Sequence, residues 1–211
     1  MSGGANVAVL DAQGRPVPLS QRGPASTWSM ISFGFWLFLL SDIVIFSALF
    51  ATYAVLSKAT AGGPSGSDIF NLPNVFIETF CLLGSSFTCG LMLISAERRK
   101  LQRFYLWAAV TWVLGAAFIG LEVSEFADFV SRGYGPTHSA FLSAFFTLVG
   151  THGCHVSCGL LWLLVMLAQV ATLGLRTGVV RRLFCFSLFW HALDLVWIGV
   201  FTIVYLGSVH V

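Results

Sequence analysis

Long hydrophobic runs separated by short polar stretches are the dominant pattern of this chain. The runs cover residues 28–57, 72–96, 104–130, 139–173 and 183–209. About 20 residues at a rise of about 1.5 Å per residue cross the ~30 Å hydrocarbon core of a bilayer, so each run is long enough to span a membrane. The pattern therefore predicts an all-α integral membrane protein with five transmembrane helices, several of them tilted or extended beyond the bilayer.

Composition excludes a soluble globular domain. The chain is 57% hydrophobic and only 9% charged, whereas soluble domains carry about 25% charged residues. The first 27 residues are polar and lack the short apolar core of a signal peptide. We expect a cytoplasmic polar tail over residues 1–27 and one five-helix domain over residues 28–211. The net charge of +2, without a basic patch, gives no indication of nucleic-acid binding.

The cationic residues predict the orientation in the membrane. Nine of the eleven lie in the amino-terminal tail or around the loops after the second and fourth spans, and only Lys58 and Arg132 lie in the opposite loops. Because cytoplasmic segments carry the excess of Lys and Arg, we expect a cytoplasmic amino terminus and an external carboxyl terminus. Four arginines beside the spans are candidate contacts for anionic lipid headgroups: Arg98, Arg99, Arg181 and Arg182.

Each predicted helix carries its polar residues along one stripe, at about 100° per residue. The stripes are Asp42 on the first helix, Glu78, Ser85 and Cys89 on the second, Thr111, Gly115, Glu122 and Glu125 on the third, His152, His155 and Gly159 on the fourth, and Ser187, His191, Asp194, Thr202 and Tyr205 on the fifth. Lipid cannot form hydrogen bonds with such groups. The stripes therefore predict a compact five-helix bundle or a bundle with an internal cleft.

Depth divides the ionisable residues into two tiers. The tier near mid-bilayer contains Asp42, His152, His155, His191 and Asp194, and the tier nearer the outer face contains Glu78, Glu122 and Glu125. A charged group at the bilayer centre costs about 2.5–3.5 kcal/mol, so such residues have partners or a function. We expect a buried network of carboxylates and histidines, with Asp–His hydrogen bonds across the first, fourth and fifth helices. A proton pathway along the acidic residues is the alternative to this structural role.

The residues alone do not identify a catalytic centre. His152 could pair with His155 on a metal or with His191 on a haem, but no further signature supports either. The five cysteines lie in apolar runs and form no C-x-x-C pair, which argues against a disulfide framework or a zinc site. A small membrane transporter and a haem-binding membrane cytochrome therefore stay open at this point.

Four sequence strings carry a specific resemblance. They are FGFWLFLLSD at 33–42, GLEVSEF at 120–126, GTHGCHV at 150–156 and FWHALDLVW at 189–197. Together, in this order and over residues 30–207, they resemble subunit III of the haem–copper oxidases. Subunit III of cytochrome c oxidases typically has seven helices and a Glu at the position of Asp42, whereas this chain has five spans. Both departures, with SALFATYA at 47–54, resemble subunit III of bo-type ubiquinol oxidases.

The resemblance implies an accessory, non-catalytic subunit of a proton-pumping ubiquinol oxidase in the aerobic respiratory chain of a bacterial inner membrane. It implies no haem, copper, quinone or other metal in this chain. Haem and copper would lie in partner subunit I, which this chain would contact directly and stabilise, and subunits II and IV would complete the complex. A cytochrome c oxidase subunit III with a shortened amino terminus is the nearest alternative.

The resemblance also implies a bound phospholipid, in a cleft between the first two helices and the remaining three. The membrane carboxylate that carbodiimide modifies in cytochrome c oxidases corresponds to Asp42. We expect Asp42 and His191, supported by His155 and Asp194, to connect the helices beside this cleft.

Overall fold

The computed structural model describes residues 27–60 and 72–209, and all regular structure within them is helical. The helices are α1 (Thr27–Leu56), α2 (Leu72–Glu97), α3 (Leu101–Ser131), α4 (Ala140–Leu173) and α5 (Thr177–Val200), followed by a π-helical segment (Phe201–Leu206) and the short α6 (Gly207–Val209). Within these residues, five helices are long and apolar enough to cross a membrane. The predicted fold class is therefore confirmed, while the predicted tail lies outside the described residues except for Thr27.

The chain divides between Leu37 and Phe38 into two compact units. In the first unit, the described residues 27–37 are the opening turns of α1. The second unit contains the rest of α1 and all of the other helices. All the packing described below lies within this second unit.

The start of the fifth span differs from the prediction. Helix α5 begins at Thr177, not at residue 183, so Arg181 and Arg182 lie in its first turns and not in a loop. Charge suggested a loop, but a helix can extend beyond the bilayer and carry its cations into water. Arg182 Nη1 donates a hydrogen bond of 2.8 Å to Gln169 Oε1 on α4, which connects the two helices at this end.

Helix α2 belongs to the same packed body as α3, α4 and α5. Its most extensive contact is with α3, and it also packs against α5, which in turn packs against α4. The predicted division of the first two helices from the last three is therefore wrong. Small and hydroxylated residues on α2 allow close approach in lipid, and the Thr88 and Thr111 hydroxyls form a hydrogen bond of 2.8 Å between α2 and α3.

Trp190 on α5 lies at the centre of this body. Its side chain is only 2% exposed, and its indole Nε1 donates a hydrogen bond of 3.1 Å to Ser85 Oγ on α2. The ring also lies against α3 and α4 at two glycines, because a Cβ atom on Gly115 would come within 3.0 Å of it and one on Gly159 within 2.7 Å. One aromatic ring thus contacts all three neighbouring helices, and the two glycines provide its space.

Helix α1 contacts the body along one narrow stripe. From residue 38 onward its buried side chains are Leu39, Phe46 and Tyr53, each seven residues after the last. The Phe46 ring lies 5.2 Å from the His155 ring of α4, and the Tyr53 ring lies 6.0 Å from Phe141. The other faces of this part of α1 are largely exposed and apolar, as suits contact with lipid or with another membrane protein.

The predicted polar stripe of the fifth span is only partly buried. Ser187, Asp194 and Tyr205 are buried, whereas His191 and Thr202 are exposed. Thr202 lies about 20° around the helix from His191 at about 100° per residue, so the two residues share one exposed face. His191 is exposed because its neighbour Trp190 defines the inward direction, and the next residue is turned about 100° away.

Candidate functional site

The predicted carboxylate–histidine residues do not form one continuous hydrogen-bonded network. Asp42 on α1 approaches His155 on α4, with 3.9 Å between Oδ1 and Nε2. This distance permits ion pairing but is too long for a hydrogen bond. The other ring nitrogen, His155 Nδ1, lies 2.7 Å from the carbonyl oxygen of Thr151 in the same helix. Since a carbonyl only accepts, Nδ1 donates there and Nε2 faces Asp42.

His152 is enclosed by aromatic rings. Its side chain is fully buried and stacks on Trp197, with ring centroids 5.3 Å apart. Phe118 and Phe46 pack edge-on against the imidazole at 5.8 and 6.2 Å. Neither ring nitrogen has a hydrogen-bond partner among the described residues. The imidazole therefore contributes to packing between α1, α3, α4 and α5 and does not extend the Asp–His pair.

His191 and Asp194 lie elsewhere on α5. His191 is exposed and its Nδ1 lies 2.7 Å from the Ser187 carbonyl oxygen of its own helix, so it does not pair with Asp42. Asp194 is buried beside Ser86 of α2. Its Oδ1 has no hydrogen-bond partner within residues 27–60 and 72–209. The expected connection of Asp42 to His191 is thus not formed, and His155 takes the position next to Asp42.

The acidic tier is a true cluster. Glu78 of α2 lies within electrostatic range of Glu122 and Glu125 of α3, and Tyr205 of the π-helical segment donates a hydrogen bond of 3.2 Å to Glu125 Oε2. The Glu122 carboxyl lies directly on the backbone of α4, because a Cβ atom on Gly153 would come within 2.6 Å of Glu122 Oε1. We call these four side chains, Glu78, Glu122, Glu125 and Tyr205, the acidic cluster.

Sequence reasoning did not predict two neighbours of Glu125. Tyr205 was expected on a polar stripe but not as the donor to a carboxyl group. Asp128 was not singled out, although it lies three residues after Glu125, on the adjacent turn of α3. Asp128 is about half exposed and pairs with Arg132 at 2.7 Å, so this row of carboxyl groups runs to the loop end of α3.

The four candidate lipid contacts lie at the end of the bundle opposite that loop. Arg98 and Arg99 are exposed in the short connection between α2 and α3, where Arg99 adopts a left-handed conformation with φ 54°. Arg182 is exposed near the start of α5, and Arg181 is half-buried. Both connections face the same side because α3 and α4 cross the bundle between them. The arginines thus form one cationic rim.

Comparison with known proteins gives a consistent result. The family described as cytochrome c oxidase subunit III matches residues 23–209. A cytochrome bo(3) ubiquinol oxidase subunit 3 of Pseudomonas aeruginosa is 58% identical over 174 residues, which is 82% of this chain and 83% of that protein. The same subunit of Pseudomonas putida is 50% identical over 180 residues, 85% of this chain and 87% of that protein. A cytochrome c oxidase subunit 3 of Bacillus sp. strain PS3 is 46% identical over 173 residues, 82% and 84%.

The family match over residues 23–209 covers all five membrane-spanning helices and the four sequence strings at 33–42, 120–126, 150–156 and 189–197. The similarity is therefore not limited to one motif. The chain belongs to the cytochrome c oxidase subunit III family, the non-catalytic third subunit of the haem–copper oxidases.

Proposed function

We propose that this chain is subunit III of a haem–copper oxidase that oxidises ubiquinol and reduces dioxygen to water in its partner subunits. The observation that carries the proposal is the 58% identity to a bo(3) ubiquinol oxidase subunit 3 across more than four-fifths of both chains. Identity to the Bacillus cytochrome c oxidase subunit is lower, at 46%, and this supports the ubiquinol branch. A quinol oxidase subunit 3 of Bacillus subtilis has the same 46% identity to this chain. The two Bacillus proteins therefore do not separate the two branches, and a cytochrome c oxidase stays the second candidate.

The direct partner in this proposal is subunit I, with subunits II and IV in the same complex and haem and copper in subunit I. The exposed apolar faces of α1 support such contacts. Several apolar side chains of α1 are about half or more exposed, among them Phe38, Leu40 and Val44. The opposite stripe of the same helix packs on α4. A helix with one anchored stripe offers its other faces to a neighbouring subunit and to lipid.

A phospholipid site is part of the same proposal. A groove of about 150 Å³ lies between α1 and α4. Six residues line it: Leu49, Thr52, Leu56, Ser143, Ala144 and Thr147. The Thr52 and Thr147 hydroxyls are satisfied by carbonyl oxygens of their own helices, so the groove presents a mainly apolar wall that suits an acyl chain. This groove replaces the cleft expected between the first two helices and the last three.

Localisation in a bacterial inner membrane, with a cytoplasmic amino terminus and a periplasmic carboxyl terminus, completes the proposal. It is supported by the nine-to-two distribution of cations. Fusing alkaline phosphatase or a green fluorescent protein to the carboxyl terminus tests it. We expect phosphatase activity and no fluorescence, and the reverse result would contradict the orientation.

The test of function is purification of the tagged chain from its native membrane in mild detergent. We expect haem-bearing partners to co-purify, with cyanide-sensitive oxidation of ubiquinol and no oxidation of reduced cytochrome c. Oxidation of reduced cytochrome c, without oxidation of ubiquinol, would show that the complex is a cytochrome c oxidase. A colourless, inactive chain, obtained while known respiratory complexes in the same extract stay intact, would overturn both.

The connection made by Asp42 gives a test of the accessory role. Asp42 Oδ1 lies 3.9 Å from His155 Nε2, so this carboxyl group connects α1 to α4. We expect Asp42→Asn to lower the amount of this subunit that stays bound in detergent, without changing the haem spectrum. His191→Ala is the matched control, because His191 faces outward. Loss of turnover in a fully assembled Asp42→Asn complex would contradict a purely accessory role.

A further inference from the structure

The acidic cluster buries more carboxyl groups than the surrounding protein can satisfy. Glu78 and Glu122 are 1% and 3% exposed, and each has one buried carboxyl oxygen without a hydrogen-bond partner among the described residues. Glu125 Oε1 is also buried without a hydrogen-bond partner among these residues. Inside the cluster, the Tyr205 hydroxyl donates a hydrogen bond of 3.2 Å to Glu125 Oε2.

Buried carboxyl oxygens without hydrogen-bond donors destabilise the fold unless protons or water molecules bind to them. Carboxyl oxygens buried without donors cost about 1–3 kcal/mol each, and more when ionised. Neighbouring carboxylates also repel one another, so a group of them normally shares protons. Buried water is the usual partner of otherwise unsatisfied polar groups and typically makes two to four hydrogen bonds. The cluster therefore requires bound protons, bound water or both.

The geometry disfavours a metal ion as the occupant. Among the described residues, no three His, Cys, Asp or Glu side chains are arranged to hold one. The π-helical segment that supplies Tyr205 is a second unusual feature at this position, since π turns inside α-helices are rare and occur often at functional sites. An occupant that needs no fixed coordination shell fits this site better than a cation does.

Burial along α3 gives the cluster a route to the aqueous phase. Asp128 is 48% exposed, Glu125 is half-buried, and Glu122 is 3% exposed. Asp128 lies within electrostatic range of Glu125, so successive carboxyl groups lead from the loop end of α3 inward to Glu122 and across to Glu78.

We propose that Glu78, Glu122 and Glu125 form an internal, hydrated proton-binding site that exchanges with water beside Asp128. A proton leaves one carboxyl group for a bridging water molecule, and that water passes a proton to the neighbouring carboxylate. No bond other than O–H forms or breaks, and no oxidant or reductant is needed. The site holds protons within a subunit that has no redox centre of its own, and the proposal does not depend on whether the complex oxidises ubiquinol or cytochrome c.

The proposal is tested by infrared spectra of the intact, purified complex, recorded as the difference between samples in H₂O and in D₂O. We expect carbonyl-stretch bands of protonated carboxyl groups that shift on transfer from H₂O to D₂O. Glu78→Gln and Glu122→Gln preserve side-chain shape, and each is expected to remove or shift a band. Glu97→Gln is the control, because Glu97 is an exposed carboxyl group on the same helix as Glu78; it is expected to leave the bands unchanged.

The route is tested separately with Asp128→Asn. We expect this variant to keep the bands but to exchange them more slowly with D₂O. Bands that do not shift in D₂O during prolonged incubation would show a sealed structural cluster and would overturn the proposal. Bands that are unaffected by both glutamine variants, or that change on treatment with a chelator, would overturn it too. Oxidase activity enters none of these readouts, so the proposed function can fail without this proposal failing.

Discussion

The contact of Trp190 with Gly159 makes Gly159→Ala the most informative single substitution. The new methyl carbon would lie 2.7 Å from Trp190 Cζ3 and 3.0 Å from Cε3, whereas carbon atoms pack at about 3.5–4.0 Å. The ring cannot move aside easily, because it lies against Gly115 as well and its indole nitrogen is bound to Ser85. Overpacking of this kind costs about 1–3 kcal/mol, which corresponds to a ~5–150-fold change in an equilibrium constant.

The assay is thermal dissociation of this subunit from the purified complex, followed by size-exclusion chromatography after heating. A penalty of this size lowers the midpoint by about 2–4 °C per kcal/mol for a chain of this length. Gly120→Ala is the control, because Gly120 is exposed and has no atom near its added methyl group. Combining Gly159→Ala with Trp190→Phe is expected to reduce the penalty of the alanine. An equal loss in Gly159→Ala and Gly120→Ala, or no relief in the double variant, would refute the role of this contact.

Three further contacts give testable predictions. Gly153→Ala is expected to push a glutamate carboxyl of α3 out of place and lower the same midpoint, whereas Gly150→Ala meets only an ordinary contact at 3.7 Å; equal effects of the two would contradict this. Thr88→Val and Thr111→Val, made singly and together, are expected to show a coupling of ~0.6 kcal/mol in a double-mutant cycle, and simple additivity would exclude a direct bond. Trp197→Phe removes a buried indole hydrogen bond of 3.1 Å to α2 and is expected to cost about 1 kcal/mol by thermal dissociation; an unchanged midpoint would show that this bond contributes nothing.

The class of fold could be predicted from the sequence because it depends on run length and hydropathy alone. All five hydrophobic runs became membrane-spanning helices, with boundaries close to those expected for the first four. The fifth helix begins at Thr177 and not at residue 183. The prediction assigned Arg181 and Arg182 to a loop, whereas both lie in the first turns of this helix. Charge locates the membrane surface, but it does not determine where a helix starts.

The candidate site was less predictable because it depends on packing between helices. Helical periodicity correctly placed Glu78, Glu122 and Glu125 on inward faces. It failed at His191. The buried face of α5 contains both Trp190 and Trp197, and His191 is turned about 100° away from Trp190, out of that face. It placed Tyr205 on the inward stripe but could not identify Glu125 as its hydrogen-bond partner, because contacts between helices depend on how the helices pack.

The narrow stripe of α1 has a consequence for biosynthesis. Its anchor residue Phe46 contacts His152 and His155, which are synthesised more than 100 residues later. At about 5–20 residues per second, ribosomes need roughly 5–20 s to make that stretch. During this interval the α4 residues that contact Phe46 and Asp42 have not yet been made. Insertion of the first helix and its docking are therefore separate events, and a chaperone or a neighbouring subunit that shields Asp42 during the delay would speed assembly of the whole chain.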